Sequence, residues 1–268
     1  MNQANKCETC PAHIQSNLIK LGIDMSDSDF VVALAGNPNT GKSTVFNNLT
    51  GLRQHTGNWP GKTVSRAEGG FAYNDKKFKI VDLPGTYSLL STSTDEEVAR
   101  DFILFGQPDV TVIVVDATRL ERNLNLVLQI LELTDRAVLC VNLIDEAKRH
   151  NITVDERSLS KQLGIPVVLA AARQRIGMDE LLKMIYEVAS GEYKCKPKKI
   201  KGINNSEIES AINELSEMLK KEYPNLPNLR WVALRLLEGD QRIMDAVKNN
   251  ELGILEREDM LQENVDKF

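Results

Sequence analysis

The chain has 268 residues, 42% hydrophobic and 26% charged, with a formal net charge of -5 and a pI of about 5.4. That suffices for an ordinary buried core and for one large or two modest domains, while the acidic balance counts against nucleic-acid binding, which leaves a basic footprint. Four cysteines do not make a disulfide framework, and no run nears the roughly eighteen apolar residues of a membrane span.

Residues 1–29 carry polar and acidic positions and no apolar core of a secretory signal. Within them CETCPAH sets Cys7, Cys10 and His13 at a spacing compatible with soft-metal ligation. Three ligands from a short tail do not close a tetrahedral structural site, so a tail with reduced thiols is the simpler expectation. A metal role would instead show as stoichiometric zinc or iron in the purified protein.

FVVALA, residues 30–35, is a continuous apolar run of strand type, and residues 43–49 read as the start of a helix. Between them Gly36, Asn37, Pro38, Asn39, Thr40, Gly41, Lys42, Ser43 and Thr44 spell a glycine-bounded loop. Backbone N–H groups in such a loop converge on a β-phosphate at the positive end of a helix. Lys42 would reach the β/γ oxygens as a point charge, and the Ser43 hydroxyl would hold a bridging magnesium ion. A plain glycine-rich turn is the alternative.

Strands are expected at 69–73 and 78–82, the second ending in the quartet Asp82, Leu83, Pro84, Gly85. Asp82 would orient magnesium through its water shell. The N–H of Gly85, with no side chain in the way, can approach a γ-phosphate and release it after hydrolysis. A helix at 95–105, a strand at 110–115 and a helix at 121–133 follow. The strand at 137–142 contains Cys140 and ends in Asn142, Leu143, Ile144 and Asp145.

Asp145 can accept both N1–H and the exocyclic amine of guanine, whereas adenine presents an acceptor at N1 and would leave the carboxylate unpaired. Asn142 would tie this loop to the phosphate loop; its other reading is the N-cap of a helix. After a helix at 155–163 and a strand at 166–170, Ala171 and Ala172 open the late loop, with the Ala172 N–H expected to face guanine O6. A helix at 178–189 completes the alternation.

Five lysines and a proline in KCKPKKIKG mark a basic linker, solvated or resting on anionic lipid. Beyond it, 206–223, 228–238 and 240–248 read as purely helical. The fold class expected is therefore α/β, a P-loop type with a mostly parallel sheet and helices on both faces, followed by a small all-helical domain. Its parts are a tail at 1–29, a nucleotide domain at 30–192, a linker at 193–203 and a helical domain at 204–268.

In this order the three motifs resemble the small GTPases. GNPNTGKSTVFNNLTG, RQHTGNWPGKTV, VDLPGTYSL and DATRLERNLNLVLQ are together similar to the cytosolic GTPase domain of the bacterial ferrous iron transport protein B family, from about residue 30 to 191. RWVALRLLEGD is similar to the helical domain that follows there. The resemblance implies GTP or GDP as ligand, magnesium, and a membrane permease for Fe²⁺ on the same polypeptide. The site then lies at the cytoplasmic face of the bacterial membrane, on a piece soluble by itself. Small cytosolic accessory proteins and a homo-oligomer are the other partners implied, with no nucleic acid.

The resemblance also assigns the segment Gly61, Lys62, Thr63, Val64 and Ser65 to the nucleotide, Thr63 capping magnesium in the GTP state. It gives Gly57 and Trp59 as backbone-carbonyl ligands of potassium, with Asn39 adding a side-chain oxygen. Trp59 has a core role as its alternative, and Thr63 a place in a strand. Lys42, Thr63 and Gly85 are the catalytic set.

Thr86 stands where many relatives place a glutamine that orients water, so hydrolysis without an added charge should run at about 10⁻⁴ s⁻¹. Potassium would fill that gap; an arginine finger in cis from Arg53 or Arg66 is the rival. Leu143 and the LAAARQ loop depart from the usual guanine site, so weak GDP binding is expected. Two other functions compete with the iron-transport GTPase: a nucleotide-gated regulatory binding module, and a soluble ribosome- or RNA-associated GTPase.

Overall fold

The computed structural model describes residues 27–52, 54–60, 62–90, 93–198, 206–224, 226 and 228–248, preceded by residues 18, 21, 23 and 24. These fall in two compact units, one ending at residue 198 and the other starting at 206. Cys7, Cys10, His13, Arg53 and Gly61 lie outside the described residues, as do residues 249–268 of the expected helical domain.

The first unit is built on a seven-stranded sheet in the order β2-β3-β4-β1-β5-β6-β7. Its strands are β1 (Phe30–Gly36), β2 (Gln54–Asn58), β3 (Ser65–Tyr73), β4 (Lys76–Asp82), β5 (Val110–Asp116), β6 (Ala137–Asn142) and β7 (Val167–Leu169). β4, β1, β5, β6 and β7 run parallel, while β3 is antiparallel to both β2 and β4. Helices cover the sheet: α1 (Lys42–Thr50), α2 (Thr94–Gly106), α3 (Leu120–Leu133), α4 (Ile144–Arg149), α5 (Glu156–Leu163) and α6 (Met178–Ala189).

Central strands with both faces covered must be apolar throughout, and β5 and β6 accordingly bury every residue but Asp116. Side chains of α1 and α6, among them Val45, Phe46, Leu181 and Ile185, close one core against Val32, Val112 and Val138. Cys140 sits at the centre of this layer, where burial pushes its thiol up to about 12. It stays a packed, protonated side chain.

Helix ends follow local chemistry. Ser93 accepts from the Glu96 N–H to cap α2, whose first turn carries Asp95, Glu96 and Glu97, each favourable at the positive helix end. α5 starts on Asp155 in the same way. α1 differs: its N-cap is Gly41, with φ 79° and no side-chain cap.

Two expectations are corrected here. The sheet gains β2 and the first half of β3, because QHTGN and SRAE lack the apolar alternation that marks a strand and are held by ladder bonds to their neighbours. The first stretch of the expected linker keeps Lys194, Lys196 and Lys198 exposed, but its backbone is tied to the first unit: the Lys196 N–H donates to Gly164 O at 2.8 Å and the Lys198 N–H to Leu163 O at 3.1 Å. A Cβ on Gly164 would fall 1.9 Å from Lys196 O, so the approach requires glycine.

In the second unit α7 (Ser206–Glu222), α8 (Leu229–Leu237) and α9 (Gln241–Lys248) bury Ile212, Leu219, Trp231, Val232 and Ile243. Arg230 pairs with Glu209 through two bonds of 2.8 and 2.9 Å. Among the described residues no helix is long and apolar enough to cross a membrane.

Candidate functional site

All three motifs arrive at the carboxyl edge of the parallel strands, where α/β sheets bind ligands. The phosphate loop follows β1 and is folded tightly enough to exclude substitution. A Cβ on Gly36 would lie 2.4 Å from Val114 O, and one on Gly41 would lie 2.4 Å from Asn142 Nδ2. Thr40 Oγ1 donates to Asn37 O at 2.9 Å. Gly41 and Asn39 take left-handed backbone angles, which turn the chain sharply into α1. With no side chain capping α1, its first N–H groups are left to an anion.

Lys42 reaches back across the loop. Its Nζ pairs with the Asp82 carboxylate and donates to Leu83 O at 2.8 Å. Burial pushes the Asp82 carboxyl above its ordinary value, and the Lys42 charge pulls it down without overcoming that. Ser43 is exposed on the first turn of α1. A hydroxyl and a carboxylate are the hard oxygens that suit magnesium, which needs few protein ligands when phosphates and water supply the rest. Among the described residues no group of three or more His, Cys, Asp and Glu could hold a metal unaided.

Gly85 follows Asp82 with no demand from the fold for a glycine: an added methyl would meet Pro38 atoms at 3.5 Å, ordinary contact. Thr86 is buried and its N–H donates to Gly36 O at 3.3 Å. The rest of this segment is held by α3. The Leu89 N–H donates to Gln129 Oε1 at 2.7 Å and Ser88 Oγ to the same atom at 3.3 Å, while the Arg122 guanidinium lies 4.8 Å from the Tyr87 ring centre.

The motif from Asn142 to Asp145 is fixed to the phosphate loop by a buried amide. Asn142 Nδ2 donates to Thr40 O at 2.9 Å, and its Oδ1 accepts from the Ala172 N–H at 3.0 Å. Asn48, on α1, donates to Ala172 O at 2.5 Å. The Ala172 peptide is thus gripped on both sides, and its N–H, expected to face guanine O6, is occupied by Asn142. Nor does Asn142 cap a helix: Leu143, at φ 63°, precedes α4 with no side-chain cap bond. Asp145 sits half-buried on α4 with its Oδ2 accepting from Gln174 Nε2 at 3.0 Å. Ala171 is buried just before the turn Ala172–Gln174.

The described part of the segment after α1 is held by β3 and α2. β2 pairs with β3 from Gln54↔Gly69 to Asn58↔Ser65, and Lys62, Thr63 and Val64 lie in the connection between them. β3 lies two strands from β1, so the start of β3 at Ser65 is set sideways from β1 by roughly 10 Å of strand spacing. Thr63, Gly57 and Ser65 are exposed. Trp59 is buried, its ring edge-on to Phe102 of α2 at 5.4 Å and under the Arg66 guanidinium at 5.4 Å. Its carbonyl accepts from the Lys62 N–H at 3.0 Å, and Lys62 Nζ pairs with Glu97 at 2.7 Å. Arg66, the described rival for a finger, pairs with Glu68 at 2.8 Å.

A cleft of about 380 Å³ flanks the phosphate loop, lined by Pro38, Asn39, Thr40 and Gly41 with Tyr87, Arg119, Arg122 and Leu143. A larger one, about 540 Å³, opens between α5, α6 and residues 193–196, beyond the start of β7. Size alone would favour the second. The convergence of lysine, carboxylates, uncapped helix and amide favours the edge that holds the first. Sequence reasoning missed Asn48, Gln129, Arg122 and Gln174, which carry no local signature and matter only through long-range contacts.

Comparison with known proteins agrees with this geometry. Residues 30–185 match the family described as Ferrous iron transport protein B, and residues 205–268 match the FeoB cytosolic helical domain. The Fe(2+) transporter FeoB of Methanocaldococcus jannaschii is 44% identical over 224 residues, covering 83% of this chain but 33% of the relative. The chain therefore spans about a third of that relative's length. Among solved structures, the apo form of the cytosolic domain of the T. maritima FeoB iron transporter superposes with a TM-score of 0.73 at 38% identity, covering 84% of this chain and 86% of that one. Its GMPPNP form gives 0.72 at 37% identity, with coverage of 84% and 86%.

Proposed function

The chain belongs to the ferrous iron transport protein B family, and from that premise we propose that it binds GTP with magnesium and hydrolyses it slowly. By doing so it regulates or drives ferrous iron passage through a permease domain of the longer polypeptide, at the cytoplasmic face of the membrane. The observation that carries this is the buried Asn142 amide, which locks the Asp145 loop and the phosphate loop into one site at one sheet edge. A relative solved with GMPPNP supports the ligand class.

Lys42 is held by Asp82 and the Leu83 carbonyl. A triphosphate concentrates more negative charge than one carboxylate, so its β and γ oxygens draw the ammonium away and leave Asp82 to orient water. A magnesium ion on Ser43, Thr63 and the water shell of Asp82 would neutralise charge between the β- and γ-phosphates. The uncapped N–H groups of α1 hold the β-phosphate, and the Gly85 N–H reaches the γ-phosphate through space that a side chain would occupy. Asp145 accepts the N1–H and amine of guanine.

Thr63, Gly57 and Trp59 act only once the β2–β3 connection leaves α2 and covers the nucleotide. Asn39 and the carbonyls of Gly57 and Trp59 would then hold potassium, whose charge substitutes for the glutamine that Thr86 replaces.

The test is hydrolysis by the whole chain at equal concentrations of KCl and NaCl, with guanine and adenine nucleotides, beside Lys42→Ala. Potassium-stimulated turnover of GTP, lost in Lys42→Ala, is expected. Equal rates in the two salts would remove the cation role; ATP competing on equal terms would remove the guanine site.

A further inference from the structure

We propose that Gln174 is a specificity-determining residue that acts by occupying Asp145 in the nucleotide-free chain, so that the guanine edge must displace one of the protein's own carboxamides in order to bind. This rests on the guanine reading of Asp145 above and adds to it an internal competitor.

Gln174 closes the single 3-10 turn Ala172–Gln174, and its Nε2 donates to Asp145 Oδ2 at 3.0 Å. A primary amide N–H offered to a carboxylate oxygen is the same kind of donor as the exocyclic amine of guanine. The carboxylate that would read the base is thus already reading a mimic of it.

The backbone beneath Gln174 is fixed. Its N–H donates to Ala171 O at 2.8 Å, and the Arg175 N–H donates to Ala172 O at 3.1 Å with Arg175 in the left-handed region at φ 59°. Ala171 and Ile176 exchange hydrogen bonds of 3.1 and 3.3 Å, and Asn48 and Asn142 hold the Ala172 peptide from either side. Rotation of the side chain alone therefore carries the amide on and off Asp145. Because the bond is exposed, water competes for both partners and the contact is reversible.

The choice of side chain matters. An amide competes for the carboxylate without carrying charge, whereas the flanking Arg173 or Arg175 in its place would make a charge-assisted, bidentate pair and close the site. A competitor of this strength lowers apparent affinity by the fraction of time the carboxylate is free. For a single exposed hydrogen bond to a charged group, that factor is about three- to tenfold. The block acts before binding, so it slows association and leaves dissociation unchanged. Adenine offers no donor at N1 for Asp145, so its binding does not feel the block.

The experiment uses the whole chain and Gln174→Met, nearly the same shape without the N–H donors. Association and dissociation of fluorescently labelled GDP and ADP are followed by stopped flow, in the parent and in an Asp145→Asn background. Expected are GDP affinity tighter by about three- to tenfold, the gain lying in the association rate, no gain for ADP, and loss of the gain in Asp145→Asn. GDP affinity unchanged or weakened by Gln174→Met, as a turn-stabilising role would give, overturns the proposal. An equal gain for ADP overturns it too. If the parent binds no GDP, the guanine reading itself falls and takes this one with it.

Discussion

Asn142 offers the sharpest test of how the site is assembled. It is 1% exposed, and its amide satisfies the Thr40 carbonyl at 2.9 Å and the Ala172 N–H at 3.0 Å. Asn142→Ala removes both partners at once. Each orphaned buried group costs roughly 1–3 kcal/mol, giving about 2–6 kcal/mol in all. The vacated space is polar enough to admit a water, which favours the lower half, about 2–4 kcal/mol. That is a large share of the roughly 5–15 kcal/mol that holds a domain together. Asn48→Ala removes one bond from a half-buried donor to the same peptide, so about 1 kcal/mol is expected. Because both asparagines grip Ala172, the double variant should depart from additivity. Urea unfolding gives the free energies, and exchange of the Ala172 amide hydrogen reads the bond directly. An Asn142→Ala cost below about 0.5 kcal/mol, with Ala172 exchange unchanged, would refute the two-sided grip.

Burial raises the Asp82 carboxyl above its unfolded value, so between the two values the folded chain holds the extra proton and stability falls as pH rises. Asp82→Asn should flatten that dependence in the nucleotide-free protein, its stability relative to the parent improving from about pH 4 to pH 8 in urea midpoints; the opposite trend would contradict the assignment. Gly36→Ala should destabilise by about 1–3 kcal/mol, since the new methyl meets the Val114 carbonyl, and a neutral effect in thermal melts would mean the loop is looser than described. Trp231→Phe leaves Trp59 as the one remaining tryptophan of two. Its buried ring should emit to the blue in the free protein and shift to the red with magnesium and a non-hydrolysable GTP analogue, a constant spectrum counting against movement of this segment.

Strands buried on both faces were legible because burial forces them to be apolar throughout; β1, β5 and β6 are continuous runs bounded by motif residues. β2 was not, since an exposed edge strand needs no apolar face and QHTGN has none; its order comes from pairing with β3 and from Trp59 docking beyond its end. Family likeness to FeoB was carried by the same motifs and is borne out. The contacts between motifs were invisible: Asn48 and Ala172 meet across 124 positions of sequence, and Asn142 and Thr40 across 102. The possible N-cap role of Asn142 failed for the same reason, because its side chain is used by two distant peptides while Leu143 turns the backbone.

Both segments proposed to move are fastened to helices, and the second is tied to the phosphate loop as well, through the Thr86 N–H and Gly36 O. Trp59 and Lys62 hold the β2–β3 connection to Phe102 and Glu97 of α2, and Tyr87 and Leu89 are held to Arg122 and Gln129 of α3. Undocking a buried tryptophan forfeits on the order of 2–3 kcal/mol of apolar burial, and the half-buried Lys62–Glu97 pair adds less. A ligand can shift such an equilibrium only by its differential affinity for the two arrangements. In the proposed site GDP and GTP differ only in the contacts to the γ-phosphate, so on that proposal the Gly85 N–H and the hydroxyl of Thr63 supply the difference. The Trp59 dock thus sets the threshold: deepen it and GTP is held without closure, weaken it and the connection covers the site with either nucleotide. On that proposal α2 and α3, which carry the fastenings, are the elements that register which nucleotide is bound.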